Sequence, residues 1–469
     1  MGKILGHYIM PHPPIIIKEV GKGEENKALS TVRACEEVGE EISKLKPDTI
    51  IVITPHGPLF RDALSISTLQ EVTGDLASFN APEVKFSFDV NLMLTEKIRK
   101  KAYGEGIMTV PIDEKASMQY GVSPELDHGS MIPLYFINNH YKGYKMVHIT
   151  YGLLSKVDLY RFGMVIKEAV EESNINVAVI ASGDLSHRLS NESPYGLNEH
   201  GEVFDKESIK LLEKGDILGL FDIDREIIKS AGECGLRSFY ILSGTMDGYE
   251  VKGELLSYEG PFGIGYGVMK FYTRESKERE LLNKIIETKQ KEIERVRECE
   301  DVYAKLARAS LEYHVKTGEY IDVPILHEKM LTERNGVFVS IKKEGELRGC
   351  IGTIFPTTDC VAKEIIKNSV EAGERDPRFS PVEEEELAEL EYSVDILMTP
   401  IKATKEELDP KKYGVIVKKD SRTGLLLPNL EGVDTIEEQL SIALDKADID
   451  KSEDYEIERF EVIRRGSKC

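Results

Sequence analysis

The first part of the chain alternates two kinds of hydrophobic pattern. Nearly continuous runs of Val and Ile occur at 48–55, 144–152 and 175–184, and such runs are typical of strands buried on both faces. Between them, stretches such as 31–46 and 157–173 carry apolar residues at helical spacing among charged ones. This alternation predicts an α/β domain, a mixed sheet with helices on both faces.

The pattern changes near residue 273. From 273 to 296 charge is dense, Gly and Pro are absent, and apolar residues recur at helical spacing, which predicts a charged helical linker. We interpret the linker as a solvated spacer, with a partner-binding helix as the alternative. Beyond it, a helix-like stretch at 303–318 and a strand-like one at 336–343 predict a smaller α+β domain over 297–465. The first domain is predicted to cover 1–272.

Charge and composition exclude several classes of partner. The formal net charge of -22 argues against a nucleic-acid groove and against docking on anionic lipid. No apolar run approaches the roughly 20 residues of a membrane span. Six scattered cysteines without a CxxC pair indicate a reduced, cytoplasmic protein. The expected partner is a small-molecule substrate, and the sequence carries no signal of oligomeric state.

Four of the ten histidines lie in Gly-, Pro-, Ser- or Asp-rich loops beside apolar strands. These histidines are His12, His56, His128 and His187. Ligands of open α/β sheets bind at the carboxyl ends of strands, so the four predict one shared site, although any one alone is more often structural. Imidazole binds divalent metals and also moves protons near neutral pH.

An anionic third ligand would complete a facial metal site with open positions. The stretch "AGECGLRSF" offers Glu233 and Cys234, and spacing alone leaves both open. The ordinary role of such a cysteine is that of a small buried hydrophobe.

The motifs "PHPP", "TPHG", "LDHGSMIPL" and "SGDLSH", in this order, resemble the LigB superfamily, which comprises class III extradiol ring-cleavage dioxygenases and the related Memo family. Those dioxygenases hold non-haem Fe(II) with two histidines and a glutamate. The resemblance implies a LigB/Memo-like fold with His12 and His56 as metal ligands. It also implies that His128 and His187 are the acid/base and substrate-orienting pair.

In Memo-type relatives a cysteine stands where the dioxygenases use glutamate, and "GECGLRSF" resembles that pattern. Cys234 is therefore the candidate third ligand and Glu233 the fallback. The resemblance implies a dioxygenase-like oxidoreductase with Fe(II) as the expected metal and Zn or Cu as alternatives, because a thiolate suits all three. The alternative function is a non-catalytic metal-binding or peptide-binding adaptor.

In the second half, "LRGCIGTI", "RDPRF", "YSVDILMTP" and "GLLLPNLEG" resemble the AMMECR-type domain. Its fusion to a Memo-like domain resembles the AmmeMemoRadiSam association, in which a radical S-adenosylmethionine enzyme accompanies these two modules. The chain has no CxxxCxxC iron–sulfur pattern, so such an enzyme would be a separate partner.

The "RGCIG" run also has a physical interpretation. Two glycines flank Cys350 and open the backbone to close approach, and Arg348 is placed to bind an anion or to lower the pKa of the thiol. A nucleophile, an anion or ligand pocket, and a buried structural cysteine all remain open. The acidic run at 383–386 predicts a solvated helix face. The residues that either join this pocket or form a salt-bridged turn are Arg375, Asp376 and Arg378.

Overall fold

The chain divides into two compact units, Met1–Thr288 and Lys289–Cys469. Within the described ranges, no helix is long and apolar enough to cross a membrane. The computed structural model describes residues 1–276, 279–325, 327–430 and 432–467.

The first unit contains ten strands and ten helices in its described residues, and an eleventh helix spans the unit boundary. The strands are β1 (Ile4–Met10), β2 (Thr49–Thr54), β3 (Leu64–Ser67), β4 (Glu71–Leu76), β5 (Ala81–Asp89), β6 (Thr109–Ile112), β7 (Lys145–Thr150), β8 (Val177–Ser182), β9 (Tyr249–Glu259) and β10 (Tyr266–Glu275). The helices are α1 (Lys18–Gly21), α2 (Leu29–Leu45), α3 (Leu92–Gly104), α4 (Glu114–Tyr120), α5 (His128–His140), α6 (Lys156–Glu171), α7 (Glu199–Lys214), α8 (Ile217–Phe221), α9 (Arg225–Ala231), α10 (Leu236–Thr245) and α11 (Leu282–Glu298).

One mixed sheet organises this unit. Its eight strands follow the order β6-β3-β7-β2-β8-β1-β10-β9. The central strands β7, β2, β8 and β1 run parallel to one another, whereas β10 is antiparallel to both β1 and β9. Strands β4 and β5 form a separate antiparallel pair. The carboxyl ends of β2, β8 and β1 therefore meet at one edge of the sheet.

Strand β2 shows why helices cover both faces of the sheet. All six of its residues are buried, and successive side chains of a strand point to opposite faces. Ile51 and Ile53 belong to a core that includes residues of α3, α6 and α10. Ile50 and Val52 belong to a second core, with residues of α2 and α5. The predicted α/β domain with a doubly covered mixed sheet is confirmed.

The predicted linker at 273–296, of which 277–278 lie outside the described residues, is helical over most of its length, but the start of its helix is packed rather than solvated. Its first residues, Thr273 to Glu275, end strand β10, and helix α11 begins at Leu282. Leu281 and Ile285 are buried in the core that contains α6 and α10. The four-residue spacing of these two apolar side chains places them on one packed helix face.

The second unit is built from two antiparallel sheets. Their strand orders are β12-β11-β13-β18 and β14-β17-β15-β16. Val339 and Ile341 of β11 pack in a core with α12 and α14, which cover one face of the first sheet. The predicted smaller α+β domain is confirmed. The strands are β11 (Gly336–Lys343), β12 (Glu346–Gly352), β13 (Leu390–Leu397), β14 (Ile401–Lys402), β15 (Gly414–Lys419), β16 (Arg422–Leu426), β17 (Glu456–Phe460) and β18 (Val462–Arg465). The helices are α12 (Val302–Thr317), α13 (Glu328–Thr332), α14 (Val361–Glu374) and α15 (Ile436–Ala447).

Candidate metal centre

Three neighbouring parallel strands deliver polar side chains to the same edge of the sheet. His12 follows β1, His56 follows β2, and Asp184 follows β8, which lies between those two strands. The carboxyl ends of parallel strands are where open α/β sheets bind ligands. The convergence of these residues therefore follows from strand order, since they lie far apart in the sequence.

The three histidines nearest this edge form a compact cluster. The Nε2 atoms of His12 and His56 are 2.9 Å apart. His128, the first residue of α5, stacks on His56 with ring centroids 4.3 Å apart. One ring nitrogen from each of the three lies within 4.8 Å of the others. His12 is buried, His128 is half-buried and His56 is exposed, so the cluster is reached from solvent on the His56 side.

Cys234, in the loop between α9 and α10, approaches the same cluster. Its Sγ lies 3.6 Å from Nε2 of His12. Together with Asp184 they form a second group whose ligand atoms lie within 4.8 Å of one another. The Glu233 carboxylate instead accepts a 2.6 Å hydrogen bond from the backbone N–H of Leu236 at the start of α10. Among the described residues, Glu233 belongs to neither metal-ligating group.

Hydrogen bonding selects the tautomer of His12. The hydroxyl of Ser182 donates its proton to the carbonyl oxygen of Gly129, so its oxygen is left to accept a bond from Nδ1–H of His12 at 2.9 Å. Nε2 of His12 then carries a lone pair, and this lone pair points at His56 and Cys234. A ligand histidine held through its other nitrogen is the usual arrangement at metal sites.

Burial controls the protonation of the cluster. It lowers the pKa of His12 well below the ordinary histidine value, an effect that the neighbouring His56 reinforces. Burial also lowers the pKa of His128 to about 3. It raises the pKa of Asp184 to about 6, and it raises that of the Cys234 thiol well above its usual range. At neutral pH the protein alone therefore presents neutral imidazoles and a protonated thiol.

A buried carboxylate ties together the elements that carry His56 and His128. Asp127 caps α5 and accepts hydrogen bonds from the Thr54 hydroxyl at 2.5 Å and from Nε2 of His148 at 3.1 Å. Burial by itself would raise the pKa of Asp127, but the bonds from His148 and Thr54 hold it well below the usual range. The carboxylate therefore stays charged and fixes the end of β2 against the start of α5.

Gly57 and Gly129, the glycines that follow two of the site histidines, leave room for this arrangement. A Cβ at Gly129 would lie 2.4 Å from the hydroxyl oxygen of Thr54 and 2.7 Å from Oδ1 of Asp127. A Cβ at Gly57 would lie 2.1 Å from the hydroxyl oxygen of Thr150. A side chain at either glycine would therefore clash with the polar residues beneath His56 and His128.

His187 lies at the border of the site with one nitrogen unbonded. Its Nε2 is buried and has no hydrogen-bond partner among the described residues. The ring stacks on Tyr195 with centroids 5.7 Å apart. Its pKa is lowered by burial first, while the charge of Asp184 acts in the opposite direction. A neutral ring with a free buried nitrogen is suited to take or give a proton to a bound molecule.

Two separations measured from His12 match those expected between ligands of one divalent metal ion. Two nitrogens each about 2.1 Å from one metal are about 3.0 Å apart at a right angle, and a thiolate and an imidazole are about 3.6 Å apart at the tetrahedral angle. The observed separations are 2.9 Å between Nε2 of His12 and Nε2 of His56, and 3.6 Å between Sγ of Cys234 and Nε2 of His12. His12 belongs to both metal-ligating groups, whereas His56 and Cys234 belong to different ones, so a single ion bound by all three would draw His56 and Cys234 closer together.

The structure adds residues that sequence reasoning missed. Asp184 lies inside the motif "SGDLSH" and follows a buried strand, which is the same signal that singled out the histidines. Asp127 precedes His128 in the motif "LDHG", where a helix cap is the ordinary role of an aspartate. Ser182 opens the same motif, but its contacts with Gly129 and His12 join residues that are distant in sequence, so its role could not be read from the motif.

In the second unit, Arg348 is bound on all sides. Its Nε and Nη2 contact both carboxylate oxygens of Glu386 at 3.1 and 2.8 Å. Its Nη1 and Nη2 also donate to the carbonyl oxygens of Ser380 and Pro381. Glu386 is therefore half-buried and paired rather than part of a solvated face, and Arg348 fastens a loop instead of facing an open pocket.

The other predicted pocket residues separate into two groups. Arg375 forms an exposed pair with Glu371 on α14. Arg378 binds Asp376, which also accepts a 2.9 Å hydrogen bond from the backbone N–H of Cys350. The structure thus brings Arg378 and Asp376 to Cys350, and it leaves Arg375 on the helix surface.

Fold and site together define a protein with an α/β sheet that gathers histidines, a cysteine and an aspartate in a candidate metal centre. A family model for the catalytic LigB subunit of aromatic ring-opening dioxygenase matches residues 6–269, and an AMMECR1 model matches 304–464. The chain belongs to the LigB family and carries an AMMECR1 domain after the LigB domain. The resemblance stated from the motifs is confirmed.

Proteins from other organisms are similar to the whole of this chain or to part of it. A Clostridium acetobutylicum protein is 51% identical over 461 residues, which are 98% of each chain, so the two domains occur there in one chain as well. A Thermotoga maritima protein is 48% identical over 172 residues, 35% of this chain and 97% of its own. A crystal structure of a Pyrococcus horikoshii protein aligns at 30% identity over 36% of this chain and 90% of its own, with a TM-score of 0.33.

Proposed function

We propose that this protein is a metal-dependent, dioxygenase-like enzyme that binds one divalent metal ion, with iron as the expected metal, and acts on a small organic substrate. The observation that carries the proposal is the position of Nε2 of His12 at the carboxyl edge of the sheet, 2.9 Å from Nε2 of His56 and 3.6 Å from Sγ of Cys234. A bound divalent ion would polarise an oxygen atom of substrate or oxidant.

Residues of the chain itself position the ligands, transfer a proton and orient the substrate. Ser182 holds His12 in the tautomer that presents Nε2, and Asp127 fixes the segments that carry His56 and His128. The unbonded Nε2 of His187 accepts or returns a proton at the substrate. His128 lines the open side of the cluster beside His56 and orients the substrate there.

A second candidate function is supported by the thiol. Cys234 rather than Glu233 faces the histidines, and a thiolate next to activated oxygen is vulnerable to oxidation. This favours metal handling, or chemistry other than ring cleavage, in association with a separate radical S-adenosylmethionine enzyme. In that case the protein is a metal-binding adaptor rather than an enzyme.

Metal analysis of anaerobically purified protein, followed by an oxygen-electrode assay with iron-loaded protein and a panel of catechols, tests both candidates. We expect about one metal ion per chain and no sustained turnover of catechols. Sustained oxygen uptake that is lost in His56→Ala would show that the protein is a ring-cleaving dioxygenase. Failure to bind iron, zinc or copper after reconstitution would overturn both candidate functions.

A further inference from the structure

One face of the sheet β12-β11-β13-β18 carries an aligned row of small polar side chains. Val339 and Ile341 of β11 point into the core, so Ser340 between them faces the opposite side. Cys350 lies directly across from Ser340 on β12, and Ser393 lies directly across from it on β13. The Ser340 hydroxyl contacts Sγ of Cys350 at 3.2 Å. The row offers a thiol and hydroxyl groups on one half-buried surface.

Two arginine–aspartate pairs border this row. Arg378 binds Asp376 through Nε and Nη2 at 2.9 and 2.7 Å. Arg464 binds Asp395 through the same two atoms, both at 2.8 Å. The aspartate side chains are 3% and 5% exposed, whereas both arginine side chains are 54% exposed. Each buried carboxylate therefore fixes the orientation of a guanidinium group whose outer edge remains accessible.

Each of these guanidinium groups keeps one nitrogen, Nη1, without an acceptor among the described residues. Guanidinium is a planar fork of N–H donors that matches a carboxylate in geometry and in charge. It has no lone pair for a metal, so the chemistry here differs from that of the histidine cluster.

The thiol of Cys350 lies between the two pairs. Nη2 of Arg378 approaches the carbonyl oxygen of Cys350 at 3.4 Å, and Asp376 accepts the backbone N–H of the same residue. Burial raises the pKa of the thiol, with Arg378 opposing and Asp395 reinforcing that shift. The charge of Cys350 in turn acts on Arg464. The thiol is therefore protonated at neutral pH and adds no negative charge to the surface.

We infer that this face of the second domain is a binding site for a small carboxylate-bearing ligand, held by the outer edges of Arg378 and Arg464 with its body over Ser340 and Cys350. The site does not depend on the proposed metal centre. It also replaces the pocket predicted around Arg348, whose donors are already used by Glu386 and two carbonyl groups.

The alkylation rate of Cys350 tests the site in the full-length protein. Iodoacetate and iodoacetamide both form an S–C bond with loss of iodide and of the thiol proton, but only iodoacetate carries a carboxylate. For an unassisted thiolate, charge repulsion makes iodoacetate the slower reagent. We expect the iodoacetate-to-iodoacetamide rate ratio at Cys350, read by peptide mass spectrometry, to be at least tenfold higher in the folded protein than in the denatured one. Equal ratios would overturn the site.

Substitutions of the two arginines test whether they cause the raised rate ratio. Arg378→Gln and Arg464→Gln should each return the ratio close to the denatured value, with the uncharged Arg378→Met and Arg464→Met as substitutes if a glutamine variant has a low melting temperature. Arg375→Gln is the matched control, because Arg375 is an exposed arginine nearby that pairs with Glu371. An unchanged ratio in both arginine variants, or an equal loss in the control, would contradict the assignment.

Competition separates carboxylate from phosphate. Sodium succinate should slow alkylation by iodoacetate more than sodium phosphate does at equal ionic strength, and the reverse order would overturn the carboxylate assignment. If the half-buried thiol reacts with neither reagent, the melting temperature in the presence of succinate tests the site instead. Succinate should then raise the melting temperature of the wild-type protein but not that of Arg378→Gln, since only a ligand that binds the folded state stabilises it.

Discussion

Cys234 and Cys350 are both half-buried thiols whose pKa values are raised above the ordinary range, with burial as the largest cause in each case. Their neighbours differ completely. Cys234 faces neutral imidazoles with lone pairs, and His12 presents one of them at 3.6 Å. Cys350 lies near two guanidinium groups, which are donors only.

This difference determines what each thiol can do. Lone pairs beside a sulfur converge on a cation, whereas N–H donors beside a sulfur attract an anion. In the first unit, carboxylates position ligands or join the cluster, as Asp127 and Asp184 do. In the second unit, Asp376 and Asp395 instead orient arginines. One residue type thus sits in two different kinds of site because the hydrogen-bonding character of its surroundings differs.

The largest expected effect is loss of metal from the first site. His12→Ala removes the nitrogen closest to both His56 and Cys234, so zinc affinity should fall by about 1000-fold or more in competition titrations with a chromophoric chelator. Cys350→Ala and His140→Ala should leave the affinity unchanged, since neither belongs to the cluster. Full, tight metal binding by a His12→Ala, His56→Ala double variant would show that the metal binds elsewhere.

The next effect is a pH dependence that distinguishes the ligands. The pKa values of His12 and His56 are lowered from 6.5, so both are neutral between pH 7 and pH 8.5, whereas the Cys234 thiol keeps its proton there. Metal binding must therefore release one proton, and apparent affinity should rise about tenfold per pH unit. In Cys234→Ala the affinity should be lower and nearly flat over this range. A slope that persists in that variant would assign the proton to another group.

A smaller effect is expected at the carboxylate beneath the histidines. Asp127→Asn keeps the size of the side chain but removes the charge that His148 and Thr54 share, so metal affinity should fall by about tenfold, the usual size of an outer-sphere contribution. Asp113→Asn is a matched control, because Asp113 also caps a helix, α4, and belongs to no described metal-ligating group. Equal losses in the two variants would point to a general effect of helix capping.

The smallest effect is expected at Arg348. Its contacts with Glu386 and two carbonyl groups are structural, so Arg348→Lys should lower the free energy of unfolding by about 1 kcal/mol in denaturant titrations. The ratio of alkylation rates at Cys350 should not change. A change in that ratio comparable to that in Arg378→Gln would return Arg348 to the ligand site.

The local pattern of hydrophobic and polar residues was sufficient to predict the helices and strands and part of the candidate metal site. The buried run at Thr49–Thr54 and the helical spacing in α2 reflect burial, which hydrophobic residues encode directly. Placing His12 and His56 at one edge needed only the rule that parallel strands end together. The motifs added the family, which the comparisons confirm.

Tertiary structure decided which side chains contact one another in the two sites. Cys234 faces the cluster and Glu233 turns to the start of α10 although the two are adjacent in sequence, because the loop between α9 and α10 presents only one of them to His12. Arg464 reaches the surface near Cys350 because β18 pairs with β13 at Asp395. Strand order and register determine such contacts between distant residues. Sequence periodicity reports which face is buried but not which strands become neighbours.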